Sequence, residues 1–167
     1  MIFVTVGTHE QPFNRLVEYM DKWAAHHDEE VVTQTGFSTY EPTNCRWQKL
    51  YPYNTMITMV DMARIVITHG GPSSFIMPLQ IGKVPIVIPR KLEFNEHVND
   101  HQVDFCKQVA KRQNNIIVVE DVNKLEDTIE NYDEIVKSMN HGLASNNERF
   151  CAEFENIVNE LVNMESR

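Results

Sequence analysis

Cysteine is scarce in this sequence. The 167 residues include three cysteines, Cys45, Cys106 and Cys151, which lie far apart, and no Cys-x-x-Cys pair occurs. An odd number at wide spacing excludes a disulfide framework and leaves no cysteine-rich zinc site. The pattern therefore favours a reducing cytoplasm.

Basic clusters and long apolar runs are also missing. The formal net charge is −9, and Lys and Arg form no block. This argues against nucleic acid as a partner and against binding to membranes mainly through anionic lipid. Residues 1–7 lack the basic and apolar regions of a signal peptide, and no run approaches the roughly 20 apolar residues of a membrane span. We expect a cytoplasmic protein that reaches the inner face of the membrane only through a partner.

Short aliphatic runs alternate with segments of helical periodicity. Hydrophobic residues make up 42% of the chain, enough for the core of a single domain over residues 1–167. Continuous aliphatic runs are typical of strands buried on both faces, and they occur at 2–6, 30–35, 64–68, 84–89 and 115–120; a further short strand is expected around Leu50. Helices are predicted from Pro12, at 55–63, between Gly71 and Gly82, and at 97–112, 123–139 and 147–163. This alternation predicts an α/β fold, a Rossmann-like parallel sheet flanked by helices.

The segment His69-Gly70-Gly71-Pro72-Ser73-Ser74 joins a predicted strand to a helix. Its glycines would let a ligand approach bare backbone, and Pro72 suits the start of a helix. Free N–H groups and the two serine hydroxyls then predict a site for phosphate or diphosphate. The segment lacks the GK[ST] ending of a P-loop and is not GxGxxG, which disfavours P-loop ATPases and simple dinucleotide enzymes. The alternative is a serine-capped turn without a ligand.

Two more segments follow strands and are expected at the same edge of the sheet. Gly7-Thr8-His9 occupies a strand-to-helix position where Thr8 could donate to a phosphate; the alternative is a plain turn. The segment KLEFNEHVNDHQ (91–102) follows Arg90 and gathers polar side chains: Glu93, Glu96, His97, Asp100, His101 and Gln102. These suit hydrogen bonds to sugar hydroxyls, although a solvated helix start remains open.

A metal site is not predicted. His97 and His101 are four residues apart and would share one helix face, but this spacing with scattered acids is too common to indicate a metal.

An apolar stripe marks the predicted C-terminal helix, at Phe150, Phe154, Ile157, Val158, Leu161 and Val162. Such a stripe favours a helix packed on its own sheet. The alternative is that the helix at 147–163 docks onto a partner chain.

Four motifs together resemble a known family. IFVTVGTHEQPFNRLV, ARIVITHGGPSSF, GKVPIVIPR and EHVNDHQ lie within residues 1 to about 120 and are similar in order and spacing to the C-terminal half of GT-B glycosyltransferases. They most resemble glycosyltransferase family 28 C-terminal-domain proteins. That group includes the catalytic subunits of two-chain bacterial polysaccharide glycosyltransferases and the eukaryotic UDP-GlcNAc transferase subunit of the dolichol pathway.

The resemblance implies a UDP-sugar donor as substrate, with no further cofactor and no metal. By position, Gly7 and Thr8 would meet the diphosphate, and Gly70, Gly71 and Ser73 would form a second turn around the donor. His101 and Gln102 match a His-Gln pair near the sugar. The remaining expected donor-binding residues are His69, Ser74, Arg90, Glu93, His97 and Asp100.

One position departs from the family pattern. Larger relatives carry a ribose-binding glutamate where this chain has Met77, followed by Pro78, which is expected to kink the helix. Ribose recognition must differ here, and the bacterial two-chain enzymes are the better match.

The implied function is that of a donor-binding catalytic subunit. It would move a hexose (galactose, glucose or GlcNAc) from a UDP-sugar to a lipid-diphosphate-linked acceptor, with inversion, in exopolysaccharide or capsule biosynthesis. No second strand series is present, so a membrane-anchored partner chain is expected to supply the acceptor-binding half. A homo-oligomer also remains possible.

The implied mechanism uses backbone N–H groups after Gly7 and Gly71 to stabilise the departing UDP. A general base must deprotonate the acceptor; it would come from the partner or from this chain, where His9 and Glu96 rank before Glu93 and His97. Three alternatives stay open: a non-catalytic nucleotide-binding or activator subunit, a flavodoxin-like binding module, and a GT-B sugar epimerase.

Overall fold

The computed structural model describes residues 1–142 together with Cys151, Phe154, Glu155, Ile157 and Val158. Its centre is a six-stranded sheet with all neighbouring strands parallel, in the order β3-β2-β1-β4-β5-β6. The strands are β1 Ile2–Thr5, β2 Val31–Gln34, β3 Arg46–Gln48, β4 Ile65–His69, β5 Ile86–Ile88 and β6 Ile117–Val118. The predicted Rossmann-like parallel sheet is confirmed.

Helices cover both faces of this sheet. They are α1 Asn14–Ala24, α2 Tyr53–Met62, α3 Pro72–Gln80, α4 His101–Gln113, α5 Leu125–Glu130 and α6 Tyr132–Val136, with short 3-10 helices at Leu92–Phe94 and Val122–Lys124. Strand β1 lies between β2 and β4, with Ile2 opposite Val31 on one side and Ile65 on the other.

Side chains alternate between the two faces along β1. Ile2 and Val4 pack with α1 residues such as Leu16, whereas Phe3 packs on the other face with Val60 of α2. Every residue of β1 is therefore buried. This explains why the strands appear in the sequence as continuous aliphatic runs.

Two predicted helix starts are wrong. Helix α1 begins at Asn14 rather than at Pro12, because the Phe13 N–H donates to the Ser38 hydroxyl and the Asn14 side chain bonds Thr39. The helix predicted from residue 97 begins at His101, where the Asn99 side chain accepts the His101 N–H. In both cases a side chain outside the helix accepts an N–H group at or just before the first helical residue, although the N-cap residues Phe13 and Asp100 form no side-chain cap themselves.

The helix predicted over 123–139 is also divided. A 3-10 turn precedes α5, and Asn131 separates α5 from α6: its N–H and side-chain amide both donate to the Asp127 carbonyl, and its own carbonyl accepts the Glu134 N–H. Asn131 therefore ends one helix and starts the next.

The C-terminal stripe is described only in part. Residues 151, 154, 155, 157 and 158 are helical, and Phe154, Ile157 and Val158 keep exposed fractions of 57%, 55% and 40%. The other stripe positions, Phe150, Leu161 and Val162, lie outside the described residues, so docking of this helix remains a prediction. Within the described chain, no helix is long and apolar enough to cross a membrane.

Candidate functional site

The strand order reverses between β1 and β4, and a cleft of about 790 Å³ lies at this point, at the carboxyl edge of the sheet. All three segments predicted to meet there contribute to it. The lining residues are Thr5, Gly7, Thr8, His9, Gln34, Leu50, Tyr51, Tyr53, Met56, Val60, His69, Ser73, Ser74, Ile76, Met77, Gln80, His97 and Gln102.

The cleft has a polar part and an apolar part. Hydroxyl, amide and imidazole groups come from the loops after β1 and β4 and from the segment before α4, whereas α2 and the neighbouring face of α3 supply aromatic, aliphatic and thioether side chains. Among the described residues, the lining contains no Asp, Glu, Lys or Arg. Any charge of the cleft itself must therefore come from its histidines.

His69 occupies the centre of the polar part, between two glycines. A Cβ atom on Gly7 would lie 2.3 Å from its Nε2, and a Cβ on Gly71 would lie 2.2 Å from its Cε1. The imidazole therefore fills the space that two side chains would need. The sequence suggested that these glycines make room for a ligand; in the structure they make room for His69.

Gly70 has a different neighbour. Its Cβ would meet the side chains of Gln102 and Cys106 at about 3 Å, so this glycine allows α4 to pack closely against the end of β4.

Hydrogen bonds fix the protonation of His69. The Gly71 N–H donates to Nδ1 (3.0 Å), so the neutral ring carries its proton on Nε2 and donates it to the Ser74 hydroxyl (2.8 Å). Burial, together with the charge of Arg90, lowers the pKa of His69 to about 4. His69 is therefore neutral near neutral pH, and the Ser74 hydroxyl hydrogen is left to point elsewhere.

The start of α3 offers fewer backbone donors than the sequence suggested. The Gly71 N–H is used by His69, Pro72 has none, and the Ser74 N–H donates to the Gly71 carbonyl. Among the described residues, the Ser73 N–H is the backbone donor of this turn that has no partner. The hydroxyls of Ser73 and Ser74 can also donate into the cleft.

No helix starts at Gly7. A loop separates β1 from α1, which begins at Asn14, and the Gly7 N–H donates to the buried Thr5 hydroxyl. The expected helix-terminal N–H groups after Gly7 are therefore absent from this corner of the cleft. Gly7 has a φ of 74°, which a residue with a side chain rarely adopts.

Glu96 lies outside the cleft lining and is 2% exposed. Both of its carboxylate oxygens accept hydrogen bonds from Arg15 at 2.9 Å, and one also accepts the Lys91 N–H. This geometry disfavours Glu96 as general base, since both of its oxygens are held in an ion pair with Arg15.

Arg90 is likewise a structural residue. It is fully buried, and its Nη atoms donate to the carbonyls of Val6, Gln11 and Glu96. Burial lowers the pKa of Arg90 to about 10, which leaves it cationic at neutral pH. It holds the loop after β1 against the loop after β5 and does not line the cleft.

Three histidine rings contact one another beside the polar part of the cleft. The ring of His9 lies parallel to that of His97 with centroids 4.9 Å apart, and His97 meets His101 edge-on at 4.6 Å. His97 precedes α4, so the two histidines do not share a helix face. His9 and His97 line the cleft, but His101 does not.

The last three expected residues differ in their placement. Gln102 lines the cleft and accepts the Arg90 N–H. Glu93 pairs with Lys91, and Asp100 accepts the Leu92 N–H; neither lines the cleft.

The apolar lining was missed from the sequence, apart from Met77. Tyr51, Tyr53 and Met56 come from the segment that begins α2. The sequence signal that could have revealed this lining is the pair Tyr51 and Tyr53 on either side of Pro52, at the start of the helix that leads into β4.

A possible metal-ligand grouping lies elsewhere. In the part of the chain that the structure describes, His27, Glu126 and Glu130 have ligand atoms within 4.8 Å of one another. His27 follows the C-terminal end of α1, at the opposite edge of the sheet from the cleft.

Comparisons with known proteins identify a family for this chain. The model of the family described as glycosyltransferase family 28 C-terminal domain matches residues 1–161. Among solved structures, the glycosyltransferase SnogD from Streptomyces nogalater is similar at 18% identity and a TM-score of 0.49, over 83% of this chain and 39% of SnogD. The chain thus spans less than half the length of that enzyme. No curated protein sequence matches it.

Proposed function

We propose a function from one premise: the chain belongs to the glycosyltransferase family 28 C-terminal domains. The proposed function is to bind a UDP-sugar donor in the cleft between β1 and β4 and to present its sugar for transfer. The observation that carries it is the cleft itself, in which a strip of hydroxyl, amide and imidazole groups adjoins an apolar, aromatic half.

The two halves of the cleft match the two ends of a nucleotide sugar. The diphosphate would accept hydrogen bonds from the Ser73 N–H and from the hydroxyls of Thr8, Ser73 and Ser74. The base would pack against Tyr51 and its apolar neighbours, as planar rings do on aromatic side chains.

Ribose recognition is proposed to differ from that of larger relatives. Met77 faces the cleft where those relatives carry a glutamate, and the neighbouring polar lining residue on α3 is Gln80. We propose that the amide of Gln80 bonds the ribose hydroxyls.

We further propose the role of a subunit. The acceptor-binding half would come from a membrane-anchored partner chain, which would bring this protein to the inner face of the membrane. The acceptor would be a lipid-diphosphate-linked sugar in polysaccharide biosynthesis, and the donor sugar a hexose. The family description, which names a C-terminal domain, supports the need for a second half.

The proposed reaction is glycosyl transfer to a hydroxyl. The bond from the anomeric carbon to the diphosphate oxygen breaks, and UDP leaves with the electron pair. The acceptor oxygen bonds the anomeric carbon from the opposite side, and its proton passes to a general base. Since Glu96 is engaged by Arg15, the candidates are His9 on this chain and a group on the acceptor-binding half.

Calorimetry with UDP, UDP-glucose, UDP-galactose and UDP-GlcNAc tests the proposal. We expect UDP and at least one UDP-sugar to bind, and Ser73→Ala to weaken that binding by about tenfold, because a hydrogen bond to a charged group is lost.

Ser138→Ala is the matched control, since Ser138 is exposed and its hydroxyl donates to a carbonyl near the end of α6. It should bind like the wild type. Failure of all four ligands to bind the folded wild type would contradict the proposed function.

A further inference from the structure

The charge needed to meet a diphosphate is missing from the resting cleft. Its lining contains, within the described residues, no Lys or Arg, and its three histidines are His9, His69 and His97. A diphosphate diester carries two negative charges, which are costly to desolvate without a cation. The helix dipole at α3 offsets a part of this cost, so among the described lining residues a protonated imidazole is the remaining source of positive charge.

Hydrogen bonds show which imidazole can take the proton. In His69 the Nδ1 atom accepts the Gly71 N–H, and in His97 the Nδ1 atom accepts the Asn99 N–H. Each neutral ring therefore carries its proton on Nε2, and a second proton on Nδ1 would displace an existing donor. His69 is also buried, which opposes its charged form.

His9 has the opposite arrangement. Its Nε2–H donates to the Gln11 side-chain oxygen at 2.8 Å, and its Nδ1 atom has no partner among the described residues. A proton on Nδ1 would break no hydrogen bond. The ring stacks on neutral His97 and is half-buried at the rim of the polar half.

Charged and titratable groups from several elements surround this stack. His97 contacts the rings of both His9 and His101 of α4, and Arg90 lies close enough to act electrostatically on His69 and His97. The surrounding acids are occupied: Glu96 pairs with Arg15 and Glu93 with Lys91. Asp100 accepts the Leu92 N–H, and Glu10, next to His9, is exposed.

We propose that His9 takes up a proton on Nδ1 when a diphosphate occupies the cleft, so that donor binding is coupled to proton uptake. This inference rests on the proposed function, because it requires the cleft to bind a nucleoside diphosphate ester. The pair His9–His97 then provides a cation beside the bound diphosphate. Since a protonated His9 cannot also accept the acceptor's proton, this inference favours a group on the proposed acceptor-binding half over His9 as the general base.

Calorimetry in two buffers measures this coupling. UDP-glucose, UDP-galactose and UDP-GlcNAc are titrated near pH 7 in PIPES and in ACES, whose ionisation enthalpies differ. Since these diphosphate diesters do not titrate near neutral pH, any proton taken up is the protein's. We expect uptake of about 0.3–1 proton per ligand, and an affinity that falls by about fivefold or more between pH 6 and pH 8.

Variants assign the proton to His9. His9→Asn should abolish the uptake and lose the affinity gained at low pH, whereas His9→Lys should keep a cation and bind with little dependence on pH. His26→Asn is the matched control, since His26 is exposed at the far end of α1, and should behave like the wild type. Ring signals of His9 followed by NMR in the wild type give a readout that needs no variant: their midpoint should move to higher pH when ligand is present.

Three results overturn the inference. One is a wild type that binds a UDP-sugar with no buffer dependence of its enthalpy. Another is proton uptake that survives in folded His9→Asn, which would place the proton elsewhere. If no UDP-sugar and no UDP binds at all, the proposed function fails as well, and this outcome is distinct from binding without proton uptake.

Discussion

The imidazole of His69 explains the glycines of two separate segments. It lies between Gly7 and Gly71 and directs the hydroxyl of Ser74 through its Nε2–H. One buried, neutral side chain thus links the loop after β1 to the start of α3. At the residue scale, the site is built around this ring, and its geometry depends on Gly71 and Ser74, close after it in the sequence, and on the distant Gly7.

Substitution of Gly71 tests this packing. Gly71→Ala should lower the free energy of unfolding by about 1–3 kcal/mol, because the added Cβ overlaps the His69 ring. The backbone of Gly71 has a φ of −78°, which alanine adopts readily, so backbone strain does not contribute. Urea unfolding of Gly71→Ala, His69→Ala and the double variant measures the coupling.

We expect a coupling free energy of about 1–2 kcal/mol between the two positions. Gln80→Ala, at an exposed position of the same helix, is the control for alanine substitution in α3. Additive effects of Gly71→Ala and His69→Ala would show that the ring is not what the glycine accommodates.

The sequence predicted the location of those site residues that directly follow a strand. Gly7, Thr8, Ser73 and Ser74 follow β1 and β4, and parallel strands bring their carboxyl ends to one edge. The partners of Glu96 and Arg90 could not be predicted, because Arg15 and the carbonyl of Val6 lie more than 70 positions away in the sequence. Such distant contacts decide whether a polar residue near a site binds the ligand or stabilises the surrounding loops.

At the scale of elements, a single carboxylate fixes the long connection from β2 to β3. Asp21 of α1 is 1% exposed and accepts the N–H groups of Asn44 and Cys45 and the hydroxyl of Tyr40. Burial alone would raise the pKa of Asp21, but these hydrogen bonds outweigh it and the pKa lies below its ordinary value. The ionised carboxylate therefore stabilises the fold.

Asp21→Asn should destabilise the protein by about 2–4 kcal/mol at pH 7, since charge-assisted hydrogen bonds are lost and an amide N–H₂ faces donors. Because the folded-state pKa is depressed, the contribution of ionisation is complete above the ordinary Asp pKa and declines as the pH falls through the lower folded value.

The stability difference between wild type and Asp21→Asn should thus stay constant from pH 7 to about pH 4.5 and shrink only below the ordinary pKa of 3.8. Urea unfolding across this range measures it, with exposed Asp28→Asn as control. A difference that already disappears between pH 7 and pH 5 would contradict the depressed pKa.

Element types were predictable, but their starts were not. Aliphatic runs and helical periodicity located five of the six strands and the helices α1 to α4, whereas the short strand expected around Leu50 lies at Arg46–Gln48 instead. The starts of α1 and α4 depend on hydrogen bonds to the Ser38 hydroxyl and the Asn99 side chain. Hydrophobic periodicity does not predict such hydrogen bonds. The gap between α5 and α6 depends on Asn131 in the same way.

On the scale of the whole molecule, the fold supplies a place for a donor and little catalytic machinery. The strand order reverses beside the cleft, as in dinucleotide-binding sheets, and no carboxylate among the described residues lines it. A domain with this arrangement can hold and orient a nucleotide sugar. The acceptor and its base are then properties of the proposed second half.

The proposed partner could be inferred only from resemblance. Hydrophobic pattern and topology determine how this chain folds, but they contain no information about a second chain. The exposed Phe154, Ile157 and Val158 are compatible with docking of the C-terminal helix, which stays a prediction.

The central claim is that a nucleotide sugar binds between the ends of β1 and β4, and amide NMR of the ¹⁵N-labelled chain tests it most directly. On addition of UDP-GlcNAc, UDP-glucose or UDP-galactose, the account predicts that the largest shift changes occur at Gly7, Thr8, Ser73 and Ser74, with no change at His27 and its neighbours on the opposite edge. Shift changes that cluster away from these loops, or a spectrum unchanged at saturating concentrations of all three, would contradict it.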